Sequence, residues 1–250
     1  MREIIDITKA LTSYRWVREQ YIFDKRHLLP ENVKRHLHRG FLVRVAMMDE
    51  SVITINEELT KAQKPLGSYL SARLTLLLNS YYLNLSGSLD NLAWALTYHH
   101  NLLENIDENN IEHRKFTQLL GKKFLQNLRQ KSLKQLADEL ELCSSWYKEV
   151  KEFRDPAAHR IPLSIPHAVY SEEDVEKRNV LDKKSAELFS KGLYDEGMNF
   201  MRQIEQLGKQ MPEFISENSK IERYDISGRI NLDHENWDKV VKSVFQLGFV

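Results

Sequence analysis

The chain is expected to fold as an all-α, antiparallel helical bundle, and three observations predict it. Apolar residues recur at three- and four-residue steps over long stretches, the period of a helix that buries one face. Nine glycines and six prolines in 250 residues are too few turn formers for a many-stranded sandwich or barrel. With 42% hydrophobic and 29% charged residues the chain can fill a core, and it does not have the composition of a disordered polymer. No Gly/Ser-rich or Pro-rich linker divides it and no internal repeat is visible. One domain is therefore expected over 1–250, with an extra helical layer over 1–64, a core over 65–166 and C-terminal helices closing the bundle over 167–250.

Each element has a local reason. The first 64 residues read as helical, broken near Leu28-Leu29-Pro30-Glu31 and again around Arg39-Gly40. After Pro65-Leu66-Gly67, the series Leu70, Leu74, Leu77, Leu78, Tyr81, Leu85, Leu89, Leu92 and Leu96 predicts a long core helix. Its stretch from Leu76 to Leu83 is apolar on several faces, so other helices or a second subunit should surround it. Ser132-Leu133-Lys134-Gln135 has the form of a capping box and opens a helix carrying Leu133, Leu136, Leu140, Cys143, Tyr147 and Val150. That helix should end near Arg154, because Pro156 disfavours helical geometry at Asp155, and Pro162 and Pro166 keep the following stretch irregular. Ser171, followed by Glu172, Glu173 and Asp174, caps a charged helical region expected to run past Gly192 to Leu207. Weak alternation around Ile221 to Asn231, with Ser227-Gly228 as the turn, predicts a small hairpin; Asp233 then caps a last helix bearing Trp237, Val240, Val241, Val244 and Phe245.

Charge and cysteine content exclude several classes of function. Thirty-six basic and 36 acidic residues cancel, so any nucleic-acid binding must be local. The single Cys143 forms no internal disulfide or cysteine-rich zinc module, and its place on an apolar stripe predicts a buried thiol. No signal core and no apolar run near 18 residues is present, so a soluble cytoplasmic protein without a membrane partner is expected. His100 and Glu104 share a helix face beside His99, but a second carboxylate–histidine pair is missing, so neither a metal nor another cofactor is expected. His36 and His38 should diverge towards solvent. The basic stretches Lys25-Arg26-His27, Lys34-Arg35-His36 with Arg39 and Arg44, and Lys122 to Lys134 are read as solvated faces ahead of guides for RNA. Tyr81, Tyr82, Trp94 and Trp146 are read as core or dimer interface.

Chemistry concentrates at Phe153-Arg154-Asp155-Pro156-Ala157-Ala158-His159-Arg160. An arginine can grip a phosphate and a histidine can move a proton. The spacing alone discriminates little, since Arg229 and His234 have the same separation and Arg160 and His167 a similar one. What distinguishes Arg154 and His159 is the Asp directly after the arginine, the helix leading in, and a proline break that could fix both side chains beside a groove. The competing structural reading has Arg154 on helix C-terminal carbonyls, Asp155 capping the next turn, and His159 donating to a loop carbonyl.

This segment resembles the signature of the HEPN superfamily, an Arg, usually followed by Asn, Asp or His, that precedes a His by four to six intervening residues. Asn84-Leu85-Ser86-Gly87-Ser88-Leu89-Asp90-Asn91-Leu92-Ala93 resembles the apolar, acid- and amide-bearing helix that such bundles place before the signature helix. The resemblance covers roughly Pro65 to Pro166. It implies a metal-independent endoribonuclease of toxin or defence type, with a site shared across a homodimer and with RNA and a cognate antitoxin as partners. RNA carries its own nucleophile in the 2′-hydroxyl, so cleavage needs a base, an acid and positive charge on the phosphate. On this resemblance His159 transfers protons, Arg154 clamps phosphate, Asp155 orients one of them, and Arg160 adds charge for substrate binding. Ile161 stands where some members carry a tyrosine that accepts nucleotide modification, so that regulatory route is not expected. Other members are non-catalytic nucleotide-binding or protein-interaction modules, which is the alternative function.

Overall fold

The computed structural model describes residues 15–21, 26–61, 68–159, 161–209, 212–217 and 220–249. The fold is all-α, and a two-stranded antiparallel ribbon is the one sheet among the described residues. Pro30, in extended conformation, opens α1 (Glu31–Lys34), which runs through a π-helical segment, Arg35–Phe41, into α2 (Leu42–Lys61). The break expected at Arg39-Gly40 does not occur. The glycine serves close approach instead, since a Cβ on Gly40 would collide with the Asn91 side chain.

The long helix α3 (Ser68–His100) is central, as its period predicts, and Leu74, Leu78, Tyr81, Tyr82, Leu85, Leu89, Leu92 and Leu96 are buried. Arg44 donates to Asn84 and Arg73 pairs with Glu58, so α2 and α3 run antiparallel. Leu76, 69% exposed, and Leu83 remain open to solvent in the single chain. Short helices α4 (Ile111–Phe116) and α5 (Lys122–Gln130) follow.

The single helix expected from Ser132 to Arg154 is two helices, α6 (Lys134–Leu142) and α7 (Ser144–His159). Ser132 caps neither, because its φ of 65° lies in the left-handed region. The turn between them is so tight, with the Cys143 amide donating to the Leu140 carbonyl at 3.1 Å, that the apolar spacing passes through it nearly in phase. Helix α7 also continues through Pro156 rather than ending near Arg154. The proline sits in the last turn, where it removes only the amide that would serve the Glu152 carbonyl. Glu152 is exposed, so water can replace that partner.

Beyond α7 the Pro-punctuated stretch is irregular, as expected, but it is zipped onto α3. Asn79 Nδ2 donates to the Leu163 carbonyl at 2.8 Å, and the Leu163 amide returns a bond to Asn79 Oδ1 at 3.1 Å. The Ile165 amide donates to Thr75 Oγ1 at 2.9 Å, and Ser71 Oγ donates to the Ile165 carbonyl. Ser71, Thr75 and Asn79 recur every fourth residue, so one helix face holds the segment.

Ser171 caps the start of α8 (Glu172–Ser190) as predicted, and Asp174 completes a capping box with it. That helix stops short of Gly192, whose φ of 76° reverses the chain into α9 (Tyr194–Ile204), packed against α8. The predicted hairpin exists one step earlier than expected, as β1 (Glu213–Glu217) and β2 (Ile221–Asp225), with Ile215 opposite Arg223. Ser227-Gly228 forms no hairpin turn; it lies in the first turn of α10 (Ile226–Ser243), capped by Asp225, which accepts from the Gly228 amide at 2.5 Å. A π-helical turn, Val244–Gly248, follows. Among the described residues no helix is long and apolar enough to cross a membrane.

Asp233 is therefore no helix cap; it is mid-helix and 0% exposed. Its carboxylate accepts from Tyr82 Oη on α3 at 3.0 Å, from Trp146 Nε1 on α7 at 2.8 Å, and from Arg229 Nε and Nη2 on α10 at 3.1 and 2.8 Å. Arg229 also donates to Glu149 at 2.6 Å and lies over the Phe153 ring. Burial pushes the Asp233 carboxyl up, and Arg229, Trp146 and Tyr82 pull it back. Removing Asp233 leaves Tyr82 and Trp146 buried without this acceptor and Arg229 with Glu149 alone. Asp233→Ala should thus destabilise the fold by about 3–5 kcal/mol, measured by urea unfolding at neutral pH.

Candidate functional site

Helix α7 decides where the motif residues point. Phe153 is buried against Tyr82, Phe214 and Tyr224, with ring centroids 5.0, 5.4 and 4.9 Å away, so the positions after it take fixed directions. Helix α7 is unbroken from Arg154 through the backbone of His159. The proline break that would have fixed both side chains beside one groove is absent. The His159 side chain and all of Arg160 lie outside the described residues.

Arg154 lies with Tyr147 and Lys151 on a stripe at steps of four and three, the side of α7 that faces α3. Tyr147 Oη lies 3.1 Å from Ser86 Oγ, and Lys151 Nζ donates to Gln118 Oε1 at 2.9 Å. Asp90 on α3 is half-buried, and burial pushes its carboxyl up to about 6 against the downward pull of Arg154, Lys151 and Arg44. The Lys151 ammonium is pulled below its ordinary range by burial and by Arg154. Arg154 and Lys151 on α7 and Arg44 on α2 thus act together on one carboxyl of α3. Gly87 makes room for one of them, because a Cβ there would strike the Arg44 guanidinium. Arg154 Nε comes within 3.2 Å of Asp155 Oδ1 without forming a hydrogen bond, and the Arg154 side chain stays 28% exposed. The Nε edge is buried, so an external anion can meet the guanidinium only through the part of the side chain that stays exposed.

Comparison with family models, with curated proteins and with solved structures finds no match to this chain.

The other arginine–histidine pairs offer no comparable site. Arg229 is spent on Asp233 and Glu149, and His234 is buried against Trp237. His167 is engaged with Tyr170 Oη at 2.6 Å. His100 Nε2 lies 2.7 Å from the Gly248 carbonyl oxygen, and among the described residues no three His, Cys, Asp or Glu side chains group as they would around a metal ion. His36 is not solvent-facing as expected. It is 7% exposed, stacked with Trp94 and Tyr98, and 3.2 Å from Glu108, whereas His38 is exposed. Trp94 is half-buried, and Tyr81, Tyr82 and Trp146 are core, which leaves none of these aromatic rings free to stack on a base.

Sequence reasoning missed Lys151 and Asp90 as members of the site, and it also missed Asp49. Asp49 on α2 is 8% exposed, its Oδ2 has no hydrogen-bond partner, and burial pushes its carboxyl up to about 7. Two outcomes follow from these carboxyls. Asp90 should titrate near pH 6 in carboxyl-carbon NMR, and Arg154→Ala should move its midpoint higher; an unmoved midpoint would mean that the guanidinium exerts no field on it. For Asp49 the unfolded chain releases its proton near pH 4 and the folded chain only near 7, so stability falls as pH rises between them. Asp49→Asn should therefore stabilise the protein by about 1–3 kcal/mol at pH 8 and by less at pH 5, measured by denaturant unfolding.

Proposed function

We propose that this chain is a HEPN-like, RNA-binding protein of the cytoplasm that cuts RNA without a metal, using a site completed by two copies of itself. The observation that supports this reading best is the cluster of Lys151, Arg154 and Arg44 around the half-buried Asp90. Such a cluster carries more positive than negative charge, and a planar guanidinium in it is suited to phosphate. Asp90 belongs to the segment Asn84 to Ala93, which resembles the helix that HEPN bundles place before the motif.

As the resemblance implies, the proton-transfer group beside a phosphate held by Arg154 is the His159 of a second copy, and Asp155 orients one of these two side chains. Leu76 and Leu83 on α3, with Val43 and Met47 on the antiparallel α2, expose apolar surface that a second copy could cover. A toxin-type partner, the cognate antitoxin, belongs to the same reading. The alternative is a non-catalytic module in which the cluster binds a nucleotide or RNA and cuts nothing.

Complementation separates these readings. In chelator, wild type should cleave a labelled single-stranded RNA, and Arg154→Ala and His159→Ala should each slow it by about a hundredfold or more. Co-expressing the two variants should restore about a quarter of wild-type activity, because half the dimers then carry one intact site. Failure to restore would place the site within one subunit. Undiminished cleavage by His159→Ala would remove that residue from the chemistry. RNA binding without cleavage, lost in Arg154→Ala, would establish the non-catalytic form.

A further inference from the structure

We propose that the cavity beside α1 is a second anion site, shaped for the oligophosphate of a nucleotide. The cavity has a volume of about 580 Å³, within the range of small-ligand pockets and far larger than one phosphate requires. Four permanent cations line it, Arg26, Lys34, Arg35 and Arg39, against the single carboxylate of Glu31.

The distribution of partners leaves charge to spare. Lys34 Nζ binds Glu31 at 2.8 Å, and the Glu31 side chain is 88% exposed, so screening weakens that pair. Arg35 donates to Glu108, which also accepts from Tyr98 Oη at 2.8 Å and lies 3.2 Å from His36 Nε2. This network anchors Arg35 from behind and divides one carboxylate among several donors. Arg26 and Arg39 make no ion pair among the described residues. Both are exposed. The backbone that presents these groups is braced: Tyr21 is fully buried and donates to the Lys34 carbonyl at 3.4 Å, and Val33 and Leu37 are buried in the core.

Converging cations on a supported backbone bind successive phosphates better than one, because each added phosphate meets a further guanidinium or ammonium. The remaining volume accommodates a nucleoside. The exposed His38 ring, tilted against Tyr21 with centroids 6.4 Å apart, offers a face for its base. The sequence places these residues in a basic stretch that reads as a solvated face; the fold turns that stretch into a concave wall.

Calorimetric titration of the full chain at low salt tests the assignment with ATP, AMP, adenosine and inorganic tripolyphosphate. ATP should bind, AMP about tenfold more weakly or worse, and adenosine not measurably. Raising the salt should weaken ATP binding. Arg39→Glu and Arg39→Met should each lower ATP affinity, the former by about tenfold or more, whereas Arg202→Glu on α9 should not. ATP binding more tightly than tripolyphosphate supports the nucleotide, and tripolyphosphate binding equally well overturns that part. Absence of ATP binding, adenosine matching ATP, or Arg39→Glu matching Arg202→Glu would overturn the site.

Discussion

A carboxylate cut off from water persists only if protein donors occupy its oxygens, and Asp233 meets that condition by drawing on three helices at once. Tyr82, Trp146 and Arg229 come from α3, α7 and α10, so none of these helices can slide or turn without orphaning a buried group. Arg229 extends the constraint to Phe153, whose ring it covers, and Phe153 directly precedes the motif arginine. The orientation of Arg154 towards α3 follows from packing one residue away. The motif is positioned by a clamp that contains none of it.

Much of the fold was legible because its signals are local and repeated. The α3 period spans many turns and tolerates individual exceptions, and the Ser171 cap declares itself by acids in the next turn. Where a single residue carried the signal, the reading failed. An aspartate at the head of an apolar run looks the same whether it caps a helix or accepts four bonds in a core, and the difference at Asp233 lies in Tyr82 and Trp146, far away in sequence. The tight turn at Cys143 was invisible because it scarcely disturbs the apolar phase. Gly40 and Pro156 carry helix-breaking chemistry, yet one is required by the Asn91 side chain and the other sits where only one amide is lost.

The candidate site divides in the same way. Arg154 and Asp155 stand out by adjacency, but their surroundings needed the third dimension. Tyr147, Lys151 and Arg154 do mark one helix face, a spacing that could have drawn attention to Lys151. Asp90 lay within a segment already singled out, although only burial and three nearby cations make its carboxyl unusual. No periodicity could have revealed that His36 faces inward, since its placement depends on Trp94, Tyr98 and Glu108 in other parts of the chain.

Pro156 has a mechanical result. The turn of α7 that ends at His159 is tied to the preceding turns by one bond fewer than an ordinary helix end, and it lies beyond the Trp146, Glu149 and Phe153 anchors that hold the rest. Just after it, Leu163 and Ile165 are fastened to α3. The last turn of α7 therefore stands one bond short between two firm moorings, so that losing this turn would leave the bundle itself intact.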